Sequence, residues 1–235
     1  MLPLRDNVPS RAFPFVTVSL IVVNTVVFIA ELSRRGGLEQ VAYDYGFVPG
    51  NLTAFASGGG VPVGHAFLPI FTSMFLHGSW LHLIGNMWYL WIFGDNVEDR
   101  LGPLRFLVFY ILCGLIGNLA HYVFNAGSGL PAIGASGAVS GVLGAYLISY
   151  PKARILVLVP LFFFWPFIEL PALVVLGFWL VFQFLSGTAS ALIPNTGAGV
   201  AWWAHVGGFL IGMSIFWIFR PRPRVLYRRV RAEQY

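Results

Sequence analysis

Ser136, His205, His82 and Asn86 interrupt stretches that are otherwise apolar or glycine-rich. Their types suit acyl transfer. A serine hydroxyl becomes an effective nucleophile when a neighbouring base takes its proton. His205 can be that base and can then return the proton to a leaving amine. The tetrahedral intermediate carries an oxyanion that needs donors. Asn86 and His82 can supply two, and the backbone N–H of Ser136, near a helix N-terminus, a third. His82 and Asn86 are four residues apart, so on a helix they share one face. Asp95, Glu98 and Asp99 fall at the far end of the segment that carries His82, and Glu169 at the corresponding end of a later one. No carboxylate is placed to orient His205, so the expected machinery is a Ser136–His205 dyad rather than the three-member arrangement.

These residues lie too far apart in the chain to meet unless long elements position them. Of 235 residues, 57% are hydrophobic and only 10% charged, which is too little polar surface for a water-soluble domain. The apolar residues fall in long blocks, as membrane-spanning helices do. The pattern predicts an all-α polytopic membrane protein with six spans, at about 13–31, 79–97, 103–124, 135–150, 170–186 and 202–219. The domain organisation is a short cytoplasmic segment over 1–12, a membrane domain over 13–219 and a basic cytoplasmic tail over 220–235. Residues 32–78 contain Gly58, Gly59, Gly60 and several prolines, so they cannot form one helix. Their apolar patches predict a segment partly on or in the membrane surface. Pro160, Pro166 and Pro171 divide the later apolar run, and 155–168 is expected to be an interfacial or partly buried connection. The "VEDR" run at 97–100 is expected to pin the second and third spans together. The first apolar block reads as a span, not a cleaved signal peptide.

Charge sets the orientation. Twelve of the fourteen Lys and Arg fall before the first span, after the sixth, or in the second–third and fourth–fifth connections, with only Arg34 and Arg35 on the other side. Positively charged loops stay in the cytoplasm, so both termini are expected there. The second, fourth and sixth spans then begin on the external side, with their polar residues at similar depth. Gly134, Gly137, Gly141 and Gly144 surround Ser136 in the fourth span, and Gly208 and Gly212 follow His205 in the sixth. Small residues let membrane helices approach closely. The fourth and sixth are therefore expected to pack face to face, bringing Ser136 within hydrogen-bond reach of His205.

The stretches "TSMFLHGSWLHLIGNMWYLWIFGDNVEDRLG", "GASGAVSGVLGAY" and "WWAHVGGFLIG" resemble the rhomboid family of intramembrane serine proteases. Gly-x-Ser-Gly at 134–137 is a weak motif alone. With His82-x-x-x-Asn86, His205 and the topology it becomes specific, and the resemblance extends over roughly 13–219. It implies a six-helix bundle with a partly embedded first external loop, Ser136 as nucleophile, His205 as base, His82 and Asn86 on the oxyanion side, and a structural role for His77. It further implies cleavage of transmembrane substrates near the outer face, often where residues are small and the helix unwinds easily. The chain looks like a minimal bacterial-type member, in the cell (inner) membrane with the site opening outward. Two departures stand out: the Trp-Arg pair many rhomboids carry in the first loop is missing from "HAFLPIFTSMFLH", and Ser140 stands where some members place an aromatic against the catalytic histidine.

Each residue also has a plainer reading. Ser136 and its glycines can serve helix packing alone, His205 can be a hydrogen-bonded core histidine, and His82 with Asn86 can be an interhelical polar clamp. The competing functions are a non-catalytic rhomboid-like binder of transmembrane segments and a small transporter. Membrane-protein substrates and lipids are the expected partners. The basic tail suits anionic headgroups rather than nucleic acid. No motif calls for a cofactor, and one cysteine with five scattered histidines argues against a metal site.

Overall fold

A computed structural model describes residues 1–159, 163, 165–192, 200–219 and 223. The basic tail at 220–235 lies outside the described residues apart from Pro223. The chain opens with strand β1 (Leu2–Asp6), followed by helix α1 (Phe15–Leu32). Three short helices then fill the first loop: α2 (Gly37–Tyr45), α3 (Pro49–Ala56) and α4 (Val63–Thr72), the last running into a 3-10 turn at Ser73–Phe75. The bundle continues with α5 (Trp80–Leu101), α6 (Pro103–Asn125) and α7 (Ser136–Ser149). Strands β2 (Arg154–Leu158) and β3 (Phe167–Pro171) lead into α8 (Ala172–Leu192) and then α9 (Trp202–Ile215), which ends in a 3-10 turn at Phe216–Phe219.

Local chemistry sets the boundaries. The Ser79 hydroxyl accepts from the His82 N–H at 3.1 Å, which caps the start of α5. Gly102, at φ +79°, ends α5 in a conformation glycine adopts without strain, and Pro103 opens α6 at a position where its missing N–H costs nothing.

Among the described residues, four helices are long and apolar enough to cross a membrane: α1, α6, α8 and α9 with its 3-10 extension. α5 qualifies together with the α4 segment, which meets it at a 74° bend. The fourth expected span, α7, has only 14 residues. At about 1.5 Å per residue it covers roughly 21 Å, short of a hydrocarbon core of roughly 30 Å. Twelve of its residues are buried, so α7 is insulated from lipid by its neighbours and need not span by itself. Outward-facing Val22, Val26 and Ile29 on α1 and Phe178, Phe182 and Leu185 on α8 are exposed apolar side chains of the kind lipid covers.

The glycine pattern produces the expected α7–α9 contact. A Cβ on Gly208 would lie 2.0 Å from the Gly137 carbonyl oxygen, and one on Gly212 would lie 2.2 Å from that of Gly141. The two backbones therefore touch. The same core holds the fully buried Phe93, Phe109 and Tyr110, together with Tyr146 of α7 itself.

The structure adds detail to two expectations. The partly buried connection expected at 155–168 includes a strand: Arg154–Leu158 is the middle strand of an antiparallel sheet ordered β1-β2-β3. Leu2 pairs with Leu158, and Leu158 pairs in turn with Phe167. Ile155 and Val157 point inward and are fully buried, a two-residue period hidden within a continuous apolar run. The "VEDR" run fastens the second span to the start of the first and to the ends of the fourth and sixth. Glu98 accepts hydrogen bonds at the start of α1, Asp99 pairs with Arg11 at 3.6 Å, and Arg100 lies over the rings of Tyr150 and Phe216.

The first loop is fastened without a Trp-Arg pair. Asn118 on α6 donates to the Ile70 carbonyl at 2.8 Å and to Ser73 Oγ at 3.0 Å. Thr53 donates to the Ala126 carbonyl at 2.6 Å, and Phe47 bridges to Ala132.

Candidate active site

Ser136 is the first residue of α7 and belongs to the turn whose N–H groups lack intrahelical acceptors. Gly134, two residues earlier, has φ +124°, and a Cβ there would sit 2.7 Å from His82 Nε2. Only glycine accommodates both that conformation and that approach. The Gly134 N–H donates to the Ser73 carbonyl at 2.9 Å, tying the loop before Ser136 to the end of the first loop.

His205 lies in the first turn of α9, one turn before Gly208. Because Gly208 lets α9 rest on the backbone of α7, the imidazole reaches across: His205 Nε2 lies 2.7 Å from Ser136 Oγ, within hydrogen-bond distance. Both side chains are half-buried, and both line a cavity of about 580 Å³. The Trp179 and Trp202 rings flank the imidazole at centroid distances of 6.1 Å each. The Ser140 hydroxyl donates to the Ser136 carbonyl at 2.6 Å.

His82 and Asn86 line the same cavity from α5. Asn86 is buried, and its amide donates to the His82 carbonyl at 3.1 Å. That bond stays within α5, unlike the interhelical clamp considered for this pair. The structure thus brings all four sequence-predicted residues together. His77 does not join them. Its ring is fully buried and set edge-on to His82 at 5.1 Å, while the His77 backbone N–H donates to Glu31 Oε2 at 3.3 Å.

One residue of the site escaped the sequence reading. Gln183 on α8 is buried, lines the cavity, and places Oε1 2.7 Å from His205 Nδ1. The available signal was a single amide within the apolar run "LVFQFL", since a polar group in a membrane helix tends to face protein. Chemically, the arrangement aligns a hydroxyl, an imidazole and a polar acceptor, with further N–H donors around one cavity. That is the geometry of nucleophilic acyl transfer.

Comparison with known proteins gives the same direction. Residues 64–222 match the family described as Rhomboid domain. The chain is 33% identical over 155 residues to the presenilin-associated rhomboid-like protein, mitochondrial, of Mus musculus, covering 62% of this chain and 36% of that protein. It is 30% identical over 175 residues to rhomboid protein 1, mitochondrial, of Saccharomyces cerevisiae, covering 70% and 46%. With rhomboid protease GluP of Bacillus subtilis it shares 41% over 78 residues, covering 33% and 15%. The chain thus spans about a third of the length of curated relatives such as the mouse protein. With its apolar helices and a family match over more than half its length, this is an integral membrane protein that belongs to the rhomboid family.

Proposed function

We propose that the chain is a serine-type intramembrane endopeptidase acting on peptide bonds in or next to transmembrane segments. The observation that carries this reading is the 2.7 Å contact between Ser136 Oγ and His205 Nε2 at the wall of a cavity. Ser136 Oγ attacks the scissile carbonyl carbon as His205 Nε2 takes its proton. The oxyanion is met by the Ser136 N–H, by His82 and by the second N–H of the Asn86 amide. His205 then protonates the leaving amine, which departs and leaves an acyl ester on Ser136. Water, deprotonated by His205, attacks that ester, and the carboxylic product leaves with the serine restored. No residue here requires a cofactor.

We further propose a bacterial inner membrane, with both termini cytoplasmic and the cavity opening to the outside. The twelve-to-two division of Lys and Arg supports that orientation. The names of the mouse and yeast relatives place those proteins in mitochondria. Membrane proteins are the substrates and lipids the surrounding partners.

The test is cleavage of a tagged single-pass substrate in liposomes by wild type, Ser136→Ala and His205→Ala. Cleavage by the wild type alone, with all three folded, is expected. Cleavage that survives both substitutions would overturn the dyad. Binding of the substrate without cleavage or serine labelling would point to a non-catalytic binder.

A further inference from the structure

A neutral imidazole has one N–H and one lone pair on its two ring nitrogens. For His205 Nε2 to accept from Ser136, the proton must sit on Nδ1, and Nδ1–H then needs an acceptor. Trp179 and Trp202 pack on the ring, but an indole N–H only donates. The Ser140 hydroxyl is engaged with the Ser136 carbonyl. The titratable groups whose charge acts on the ring are His82 from α5 and His121 from α6, with no carboxylate among them. Gln183 Oε1, at 2.7 Å, meets the requirement.

The setting of Gln183 is unusual. Its neighbours Phe182, Phe184 and Leu185 face outward, whereas Gln183 is only 6% exposed. The buried apolar residues of α8, namely Ala172, Val175 and Leu176, lie in its first two turns. Near the cavity, the inward polar contact of α8 is therefore the one made by this amide.

We propose that Gln183 is the positioning residue of His205: its side-chain carbonyl accepts the Nδ1–H, selects the tautomer that leaves Nε2 free to act as base, and makes docking of α8 a condition for a competent dyad. This rests on the serine-protease reading above. An amide does this without charge, so the acid limb of the pH–rate profile reports the imidazole, whereas a carboxylate at 183 would favour imidazolium.

The test compares wild type, Gln183→Met, Gln183→Glu and Ser136→Ala, with His205→Ala to assign resonances. In detergent micelles, ¹⁵N-histidine spectra read the His205 tautomer independently of activity. Wild type is expected in the Nδ1–H form, and Gln183→Met is expected to lose it. In liposomes, Gln183→Met is expected to lower kcat about 10- to 100-fold with KM little changed, on the scale of losing the orienting partner of a metal-bound histidine. Gln183→Glu is expected to recover most of the rate and to move the acid limb to higher pH. Wild-type tautomer and kcat in Gln183→Met would overturn the proposal. So would an unmoved acid limb in Gln183→Glu, which decides the matter if the Met variant fails to fold. Cleavage by Ser136→Ala would sink the dyad instead, leaving the tautomer measurement to judge Gln183.

Discussion

Glu98, near the end of α5, closes the beginning of α1 through Thr17: its Oε2 accepts from both the backbone N–H and the hydroxyl of Thr17, each at 2.8 Å. Oε1 takes the Val16 N–H at 2.9 Å. α1 is preceded by Pro14 and has no capping side chain of its own, so a carboxylate 81 residues away satisfies its orphan donors. Glu98→Ala is expected to destabilise the protein by about 2–3 kcal/mol, the range for hydrogen bonds to a charged group left unmade. Glu98→Gln should fall between. Thermal unfolding in detergent measures both, and an unchanged midpoint for the alanine variant would remove the capping role.

The α7–α9 backbone contact makes a second set of outcomes. Gly208→Ala and Gly212→Ala press a methyl against carbonyl oxygens that cannot rotate away. Overpacking of this kind costs about 1–3 kcal/mol. Gly208 follows His205 by one turn, so Gly208→Ala should also slow labelling of Ser136 by a fluorophosphonate. Gly177→Ala on α8, where nothing lies within 4 Å, is the control and should be neutral. Equal midpoints for all three variants would contradict the contact.

On the oxyanion side, Asn86→Ala and His82→Ala are expected to reduce kcat by about 10²- to 10³-fold each, with smaller changes in KM. Steady-state kinetics in liposomes separates the two constants. A loss confined to KM would assign these residues to substrate binding instead.

Asp6 lies in β1, outside the spans. Burial lifts its carboxyl from the ordinary 3.8 to about 6, even though the Tyr146 hydroxyl donates to it. The folded chain therefore holds this proton more tightly than the unfolded chain. Stability from this group is greatest below about pH 4 and declines as pH rises through about 6. The midpoint of wild type minus that of Asp6→Asn should accordingly shrink between pH 4 and pH 7. A difference that stays level across that range would count against the raised carboxyl.

What could be read in the sequence follows physical lines. Ser136, His205, His82 and Asn86 stand out because polar groups are rare inside apolar blocks, and the glycine spacing of 137, 141, 208 and 212 announces which helices touch. Gln183 stayed hidden because the rotation of α8 about its axis decides whether position 183 meets lipid or His205, and uniform apolarity does not encode that angle. β2 stayed hidden for a related reason. Residues 154–159 are apolar after Arg154, so the alternation of buried Ile155 and Val157 with their neighbours left no contrast. Glu98 was recognisable as a fastening residue, but its partner lay 81 residues upstream, beyond the reach of local pattern.

The small sheet also imposes an order of events during synthesis. β1 at residues 2–6 has no strand to pair with until β2 at 154–158 exists, although Trp88 already offers its indole N–H to the Pro3 carbonyl. At about 5–20 residues per second, translation leaves that strand waiting for roughly 8–30 s after it emerges. Protease pulses on ribosome-stalled chains should find β1 sensitive in arrests before residue 154 and protected after β2 has emerged. β1 is thus made long before the strand it pairs with, and a handler that shields an unpaired edge would act during that interval.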